Sequence, residues 1–254
     1  MTVSSTAASE QRPALNRRYW ADLLFGRTLP ALFFGLFLVF QLVVVGTAGS
    51  RLLGGHATAG DYLAFLNRVL RLAFFTMLVV MYVVRLPSRK ADRRPLVILV
   101  SLIGTFAILA TSYLPTIPRG PGAILVSDVL ITVGMAWAVW GLAYLRRSFS
   151  IIPEARQLVT GGPYAISRNP LYFGEGIASI GVMLPVFGPW QGLLLLVFIA
   201  SQALRISWEE KVLLEAFGDE YRAYCRRVPR LLPRPWRLLR RGSRRRSTGL
   251  PATS

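Results

Sequence analysis

Six long apolar runs organise the chain, at roughly 29–48, 64–84, 96–115, 123–145, 171–188 and 190–207. Each approaches the ~20 residues that a helix needs to cross the hydrocarbon core of a bilayer. The polar intervals between them are short. The pattern therefore predicts an all-α integral membrane protein with about six transmembrane helices. The phrase "FGPWQG" (187–192) is a tight turn between the last two runs. Beyond it, 190–217 reads as one long helix, apolar for two-thirds of its length and then "RISWEEKVLLEAFG", with Gly218 as its stop. A short amphipathic helix, "DEYRAYC", and a Pro-broken extended segment, "RVPRLLP", follow.

The pattern divides the chain into four parts: a polar tail over 1–28, transmembrane helices over 29–145, a polar-rich half with the last helical hairpin over 146–233, and a basic, Ser-rich tail over 234–254. The first part holds no signal-peptide core, so the first span is expected to act as an uncleaved anchor. Tyr19 and Trp20 suit a headgroup-level belt. The final tail has the composition of a disordered segment and is expected to touch anionic membrane lipids.

Charge sharpens this picture. The chain is 53% hydrophobic and carries 30 Lys and Arg against 12 Asp and Glu, a net charge of +18. Such a balance fits either nucleic-acid binding or an arginine-weighted cytoplasmic face. Position decides between them. Arg12, Arg17, Arg18 and Arg27 precede the first run; Arg85, Arg89, Lys90, Arg93 and Arg94 follow the second; Arg146, Arg147, Arg156 and Arg168 follow the fourth; Lys211 and eleven more arginines follow the sixth. The alternate loops offer Arg51 and Arg119. Arg68 and Arg71 fall near the outer end of the second run, where snorkelling keeps a charge wet. The expectation is a multi-pass membrane protein with both termini cytoplasmic and no nucleic-acid partner.

Chemistry-bearing residues are few in the first half. Asp128 lies about one and a half turns inside its span and is expected to serve structure. The small residues around Gly104 and Gly134 are expected to permit close helix packing. One cysteine, Cys225, and one histidine, His56, rule out a disulfide within the chain and a histidine-cluster metal site. Cys225 is expected to pack and His56 to be a solvated loop residue.

The second half differs. In "RISWEE" (205–210), Arg205 and Glu209 stand four apart on one helix face and can pair. A charge in hydrocarbon costs about 2.5–3.5 kcal/mol on insertion scales, so such groups usually face a protein interior or a wet cavity. The bare spacing equally describes a salt bridge at a helix end. On the same side, "GGPYAISRNPLYFGEG" (161–176) offers glycines for a sharp turn, Asn169, and Pro170 in the first turn of the fifth span. That helix start leaves N–H groups free for electron-rich groups. Tyr221 and Tyr224 share a further helix face, and "RVPRLLP" can fold back as a lid.

Together, "QLVTGGPYAISRNPLYFG", an apolar hairpin and "RISWEEKVLLEAFGDEYRAYCRRVPRLLP" closely resemble the isoprenylcysteine carboxyl methyltransferase family and the related phospholipid methyltransferases. The resemblance covers about 145–233; the first four spans match in hydropathy alone. It implies a membrane enzyme using S-adenosyl-L-methionine, held in a cytosolic pocket formed by the C-terminal half. It further implies that Arg156, Gln157, Leu158 and Val159 line the cofactor and that Tyr164 contacts it. Asn169, Pro170, Leu171 and Tyr172 would hold its polar end. Glu209 would contact it too, while Arg205 would face a lipophilic methyl acceptor. Glu210, Tyr221 and Tyr224 are further carry-overs, and no metal is implied. Where the carboxyl methyltransferases have histidine, this chain has Asn169, which hydrogen-bonds but is no base near pH 7. The acceptor is therefore open: a lipophilic, isoprenoid-like carboxylate first, a lipid amine second, with a non-enzymatic membrane protein of the same fold as the remaining alternative.

Overall fold

The computed structural model describes Leu24 and residues 27–231, except 56, 85–89, 93, 146, 147, 150 and 152. The expectations for Tyr19, Trp20, His56 and the tail over 234–254 lie outside the described residues.

Helices dominate, as the apolar runs require. They are α1 (Leu29–Leu52), α2 (Ala59–Val84), α3 (Pro95–Phe106), α4 (Pro121–Leu145), α5 (Pro170–Met183) and α6 (Pro189–Arg227). Among the described residues, five stretches are long and apolar enough to cross a membrane, α3 being extended by a 3₁₀ segment to Tyr113. The expected fifth span is different. Its helix, with a 3₁₀ turn, runs from Pro170 to Val186 and is shorter than the other five. Leu36, Phe40, Val43, Val133 and Leu196 are more than half exposed on the bundle surface. Such a surface is matched to lipid, not water.

α4 and α5 pack almost backbone to backbone. A Cβ on Gly134 would lie 2.5 Å from the Ala178 nitrogen, and one on Gly174 would lie 2.7 Å from the Ala138 nitrogen. This is the small-residue packing expected of Gly134. Gly104 combines two roles: its missing side chain leaves room for Ser201, Gln202 and Arg205 of α6, and it also borders a cavity. Asp128 serves structure as expected, by accepting a 2.8 Å hydrogen bond from Asn67 Nδ2 across α2 and α4.

The end of α6 follows the expected pattern. Gly218 adopts φ 52°, ψ −121°, which breaks the helical path as the sequence predicts, and the expected short helix follows, running to Arg227. The turn expected at "IIPEA" forms part of a two-residue ladder: Glu154–Ala155 (β2) pairs antiparallel with Lys90–Ala91 (β1). This ladder ties the two basic loops together at one end of the bundle. Beside them, the segment after α6 folds back across 167–169. Arg168 N donates to Pro229 O at 2.9 Å, and Ser167 Oγ donates to Leu231 O at 2.8 Å.

Candidate active site

The loop over 161–169 is shaped by its glycines and by what packs on them. Gly162 has φ +57°, a conformation that favours glycine, and a Cβ there would collide with the Tyr144 ring at 2.4 Å. The space beside this glycine is thus filled by Tyr144. The loop ends at Asn169, which precedes Pro170 at the first position of α5. The Asn169 side chain does not cap its own helix. Its Nδ2 donates to Arg230 O at 2.9 Å and to Glu210 Oε1 at 3.3 Å.

Adjacent residues on a helix point about 100° apart, since one turn takes 3.6 residues. Glu209 and Glu210 consequently serve different neighbourhoods. Glu210 accepts from Arg168 Nε at 3.1 Å and pairs with Arg230 Nε at 3.1 Å. It thereby joins the loop, α6 and the returning segment. Glu209 turns inward and accepts from Tyr172 Oη at 2.7 Å.

Arg205 and Glu209 do not form the direct pair that their spacing allows. Both meet Tyr172 instead. The Arg205 guanidinium lies 5.1 Å from the Tyr172 ring centroid, a cation–π contact, while the hydroxyl of the same ring binds Glu209. Arg205 is 5% exposed. Its Nη1 donates to Gln202 Oε1 at 2.8 Å and its Nη2 to Ile151 O at 3.2 Å, whereas its buried Nε has no hydrogen-bond partner. Gln202 Nε2 in turn donates to Glu175 Oε2 at 3.0 Å. A chain of polar groups therefore runs Glu175–Gln202–Arg205–Tyr172–Glu209 between α5 and α6.

All of these except Gln202 border a cavity of about 260 Å³. Of the residues singled out from the sequence, Tyr164, Asn169, Leu171, Tyr172, Arg205 and Glu209 line it. So do Arg168 and Glu175. Most of the remainder is apolar, with Phe34, Phe37, Phe74, Phe75 and Phe106 forming an aromatic chamber; Arg71, Thr105 and Ser179 are its polar exceptions. Burial, and next the charge of Glu209, hold the Tyr164 hydroxyl well above the ordinary tyrosine pKa, so Tyr164 remains neutral across physiological pH. Its carbonyl is fixed by Tyr224 Oη at 2.7 Å.

Other expected site residues lie apart from the cavity. Arg156 is buried and paired with Glu154. Gln157 is exposed, Leu158 packs beside Tyr221 and Tyr224, and Val159 is half-buried; none lines the cavity. Pro170 is buried without lining it. Cys225 packs against the same tyrosine cluster, as expected. Glu175, Gln202 and Arg71 are cavity or network residues that the sequence reading did not assign to the site. Their signal was present: each is a polar exception inside an apolar run.

Residues 123–220 match the phospholipid methyltransferase family model. Over 113 residues the chain is 34% identical to protein-S-isoprenylcysteine O-methyltransferase B of Arabidopsis thaliana, covering 44% of this chain and 54% of that protein. These matches support a relationship of this part of the chain to the isoprenylcysteine carboxyl methyltransferase and phospholipid methyltransferase superfamily. The matched region contains the whole polar chain from Tyr164 to Glu210, but not the returning segment around Arg230. A second relative, the cobalt-zinc-cadmium resistance protein CzcN of Cupriavidus metallidurans, is 30% identical over 141 residues, or 52% of this chain and 63% of that protein. The chain thus spans just over half the length of these curated relatives. A solved structure of a eukaryotic intramembrane Ras methyltransferase, isoprenylcysteine carboxyl methyltransferase, aligns over 87% of this chain and 82% of that one, with 20% identity and a TM-score of 0.44.

Proposed function

We propose that this protein is a membrane methyltransferase that uses S-adenosyl-L-methionine to methylate the carboxylate of a lipophilic, isoprenoid-like acceptor. The observation that carries the reading is one cavity with two characters: the Glu175–Gln202–Arg205–Tyr172–Glu209 chain at one side and an aromatic chamber at the other. A lipid whose polar end must meet a polar cofactor needs such a site.

The residues present fit that cofactor. Glu175 and Glu209 are carboxylates facing the cavity and complement a cationic ligand, and the buried, unpartnered Arg205 Nε is a donor awaiting an acceptor. When bound, S-adenosyl-L-methionine supplies an electrophilic methyl group on a sulfonium. In this reading Tyr164, Asn169, Leu171, Tyr172 and Glu209 contact it. Arg156, Gln157, Leu158, Val159 and Pro170 support the loop from outside the cavity. Arg205, held by Gln202 and the Ile151 carbonyl, aims the acceptor carboxylate. A carboxylate is already ionised and needs no base, so orientation supplies much of the acceleration. The segment around Arg230, pinned to Glu210 and Asn169, restricts water at the polar end. That end faces the cytoplasm, because 26 of the 30 basic residues fall on this side or at its boundary when Arg51, Arg68, Arg71 and Arg119 are set aside.

Glu175 favours a second reading. An amine acceptor must lose a proton before it attacks, and a cavity-facing carboxylate can receive it. Titration of detergent-purified protein with S-adenosylhomocysteine tests the shared premise: saturable binding is expected, and absence of binding in folded protein refutes a methyltransferase of either kind.

A further inference from the structure

The sequence placed Arg71 near the outer end of its span. The structure begins α2 five residues earlier, at Ala59, and ends it at Val84. Arg71 is then twelve residues from one end and thirteen from the other, or about 18–20 Å of helix from each. A side chain cannot snorkel that far. A cation at such depth is costly and usually marks a substrate path or a buried partner.

The protein gives Arg71 little compensation. Among the described residues its hydrogen bond is from Nε to Asn67 O, one turn away on its own helix and long at 3.4 Å. Among the described residues it forms no ion pair with a carboxylate. Asp128, across on α4, is engaged by Asn67 Nδ2 at 2.8 Å and offers Arg71 a Coulombic attraction without direct contact. Arg68, one turn along α2, adds a like charge. Yet Arg71 lines the cavity, with Phe74, Phe75 and Leu78 on the same helix marking the way toward the polar end. Leu78 to Arg71 spans about 10 Å of helix. The aromatic chamber is therefore not a plain hydrocarbon slot: a guanidinium waits within it.

We propose that Arg71 is a second recognition point, which binds an anionic oxygen group carried on the acceptor's tail, remote from the atom that is methylated. This rests on the reading of the cavity as the acceptor site. Such an acceptor has two polar ends joined by an apolar middle. A phosphate of the surrounding bilayer is the poorer source for the same chemistry, since headgroups lie outside the ~30 Å hydrocarbon core and Arg71 sits near its middle.

The test uses full-length protein in phosphatidylcholine nanodiscs and two ligand series: saturated monocarboxylic acids, and the α,ω-dicarboxylic acids from decanedioic to octadecanedioic acid. Binding is measured by calorimetry, and S-adenosylhomocysteine is titrated separately. The wild type is expected to bind the best-matched dicarboxylic acid at least about tenfold more tightly than the monoacid of equal length. Arg71→Leu should erase that preference without weakening the monoacid, and Arg71→Lys should keep part of it. Methylating one carboxylate of the diacid should erase it in the wild type, a result that needs no variant to fold. Asp128→Asn should retain the preference; its loss there would mean that Arg71 acts through the α2–α4 contact, and would overturn the proposal. So would absence of a preference at every length, or its survival in Arg71→Leu. Normal S-adenosylhomocysteine binding without a diacid preference defeats this inference alone. A diacid preference without S-adenosylhomocysteine binding upholds Arg71 as an anion site and defeats the methyltransferase reading.

Discussion

Tyr172→Phe isolates one hydroxyl at the centre of the site. The phenylalanine ring keeps its place under Arg205, so the cation–π contact survives. What is lost is the 2.7 Å hydrogen bond to Glu209 Oε2. Hydrogen bonds to charged groups contribute about 1.5–3 kcal/mol, and each 1.4 kcal/mol is tenfold in affinity. If Glu209 contacts the cofactor from the position that Tyr172 fixes, S-adenosylhomocysteine affinity should fall about 10- to 100-fold. The same reasoning predicts strong coupling. In a Glu209→Gln background the hydroxyl no longer serves a carboxylate, so Tyr172→Phe should cost much less there. Calorimetry on the four folded proteins of this double-mutant cycle measures the coupling directly. Additive losses would show that Tyr172 does not act through Glu209. Wild-type affinity in Tyr172→Phe would remove the hydroxyl from the site altogether.

Arg205→Ala should abolish turnover and spare cofactor binding, because Arg205 stands one helical turn before Glu209; equal loss of S-adenosylhomocysteine affinity in Arg205→Ala and Glu209→Ala rejects that division of labour. Asn169→His should retain binding, while Asn169→Leu should weaken it about tenfold or more by leaving Glu210 and the Arg230 carbonyl without the amide, at about 1–3 kcal/mol for an unsatisfied buried group; wild-type affinity in Asn169→Leu would refute this. Gly134→Leu should prevent recovery of monodisperse protein, since even a Cβ at that position meets backbone at 2.5 Å; a normal elution profile and melting temperature would contradict the packing described for α4 and α5. With Cys225 replaced by serine, a cysteine introduced at Gly55 should react with an impermeant reagent from outside the cell; labelling from the cytoplasm alone reverses the topology.

Much of this architecture was legible because lipid imposes a simple rule: a spanning helix must be long and apolar. The helix breaks at Gly188 and Gly218 and the start at Pro170 were legible for the same local reasons. The short fifth helix was not distinguished, because an apolar run does not say how much of it is helix. The site was legible in part. Spacing put Arg205 and Glu209 on one face, but could not show that Tyr172 from another helix would stand between them. Glu175, Gln202 and Arg71 were visible as polar residues in apolar runs, yet which of them share a cavity depends on helix rotation, a tertiary property. The reverse holds for Arg156–Val159: motif resemblance placed them at the cofactor, whereas the β1–β2 ladder and the Tyr221–Tyr224 cluster draw that stretch away from the cavity.

The central claim is methyl transfer to a lipophilic carboxylate. Incubation of the purified protein with methyl-labelled S-adenosyl-L-methionine and a total lipid extract tests it most directly, with Arg205→Ala as the control. The account predicts label in the lipid fraction that mild base releases as methanol, and none with Arg205→Ala. Base-stable label would mean that the acceptor is an amine, and no transfer by folded, S-adenosylhomocysteine-binding protein to any lipid fraction would contradict the account.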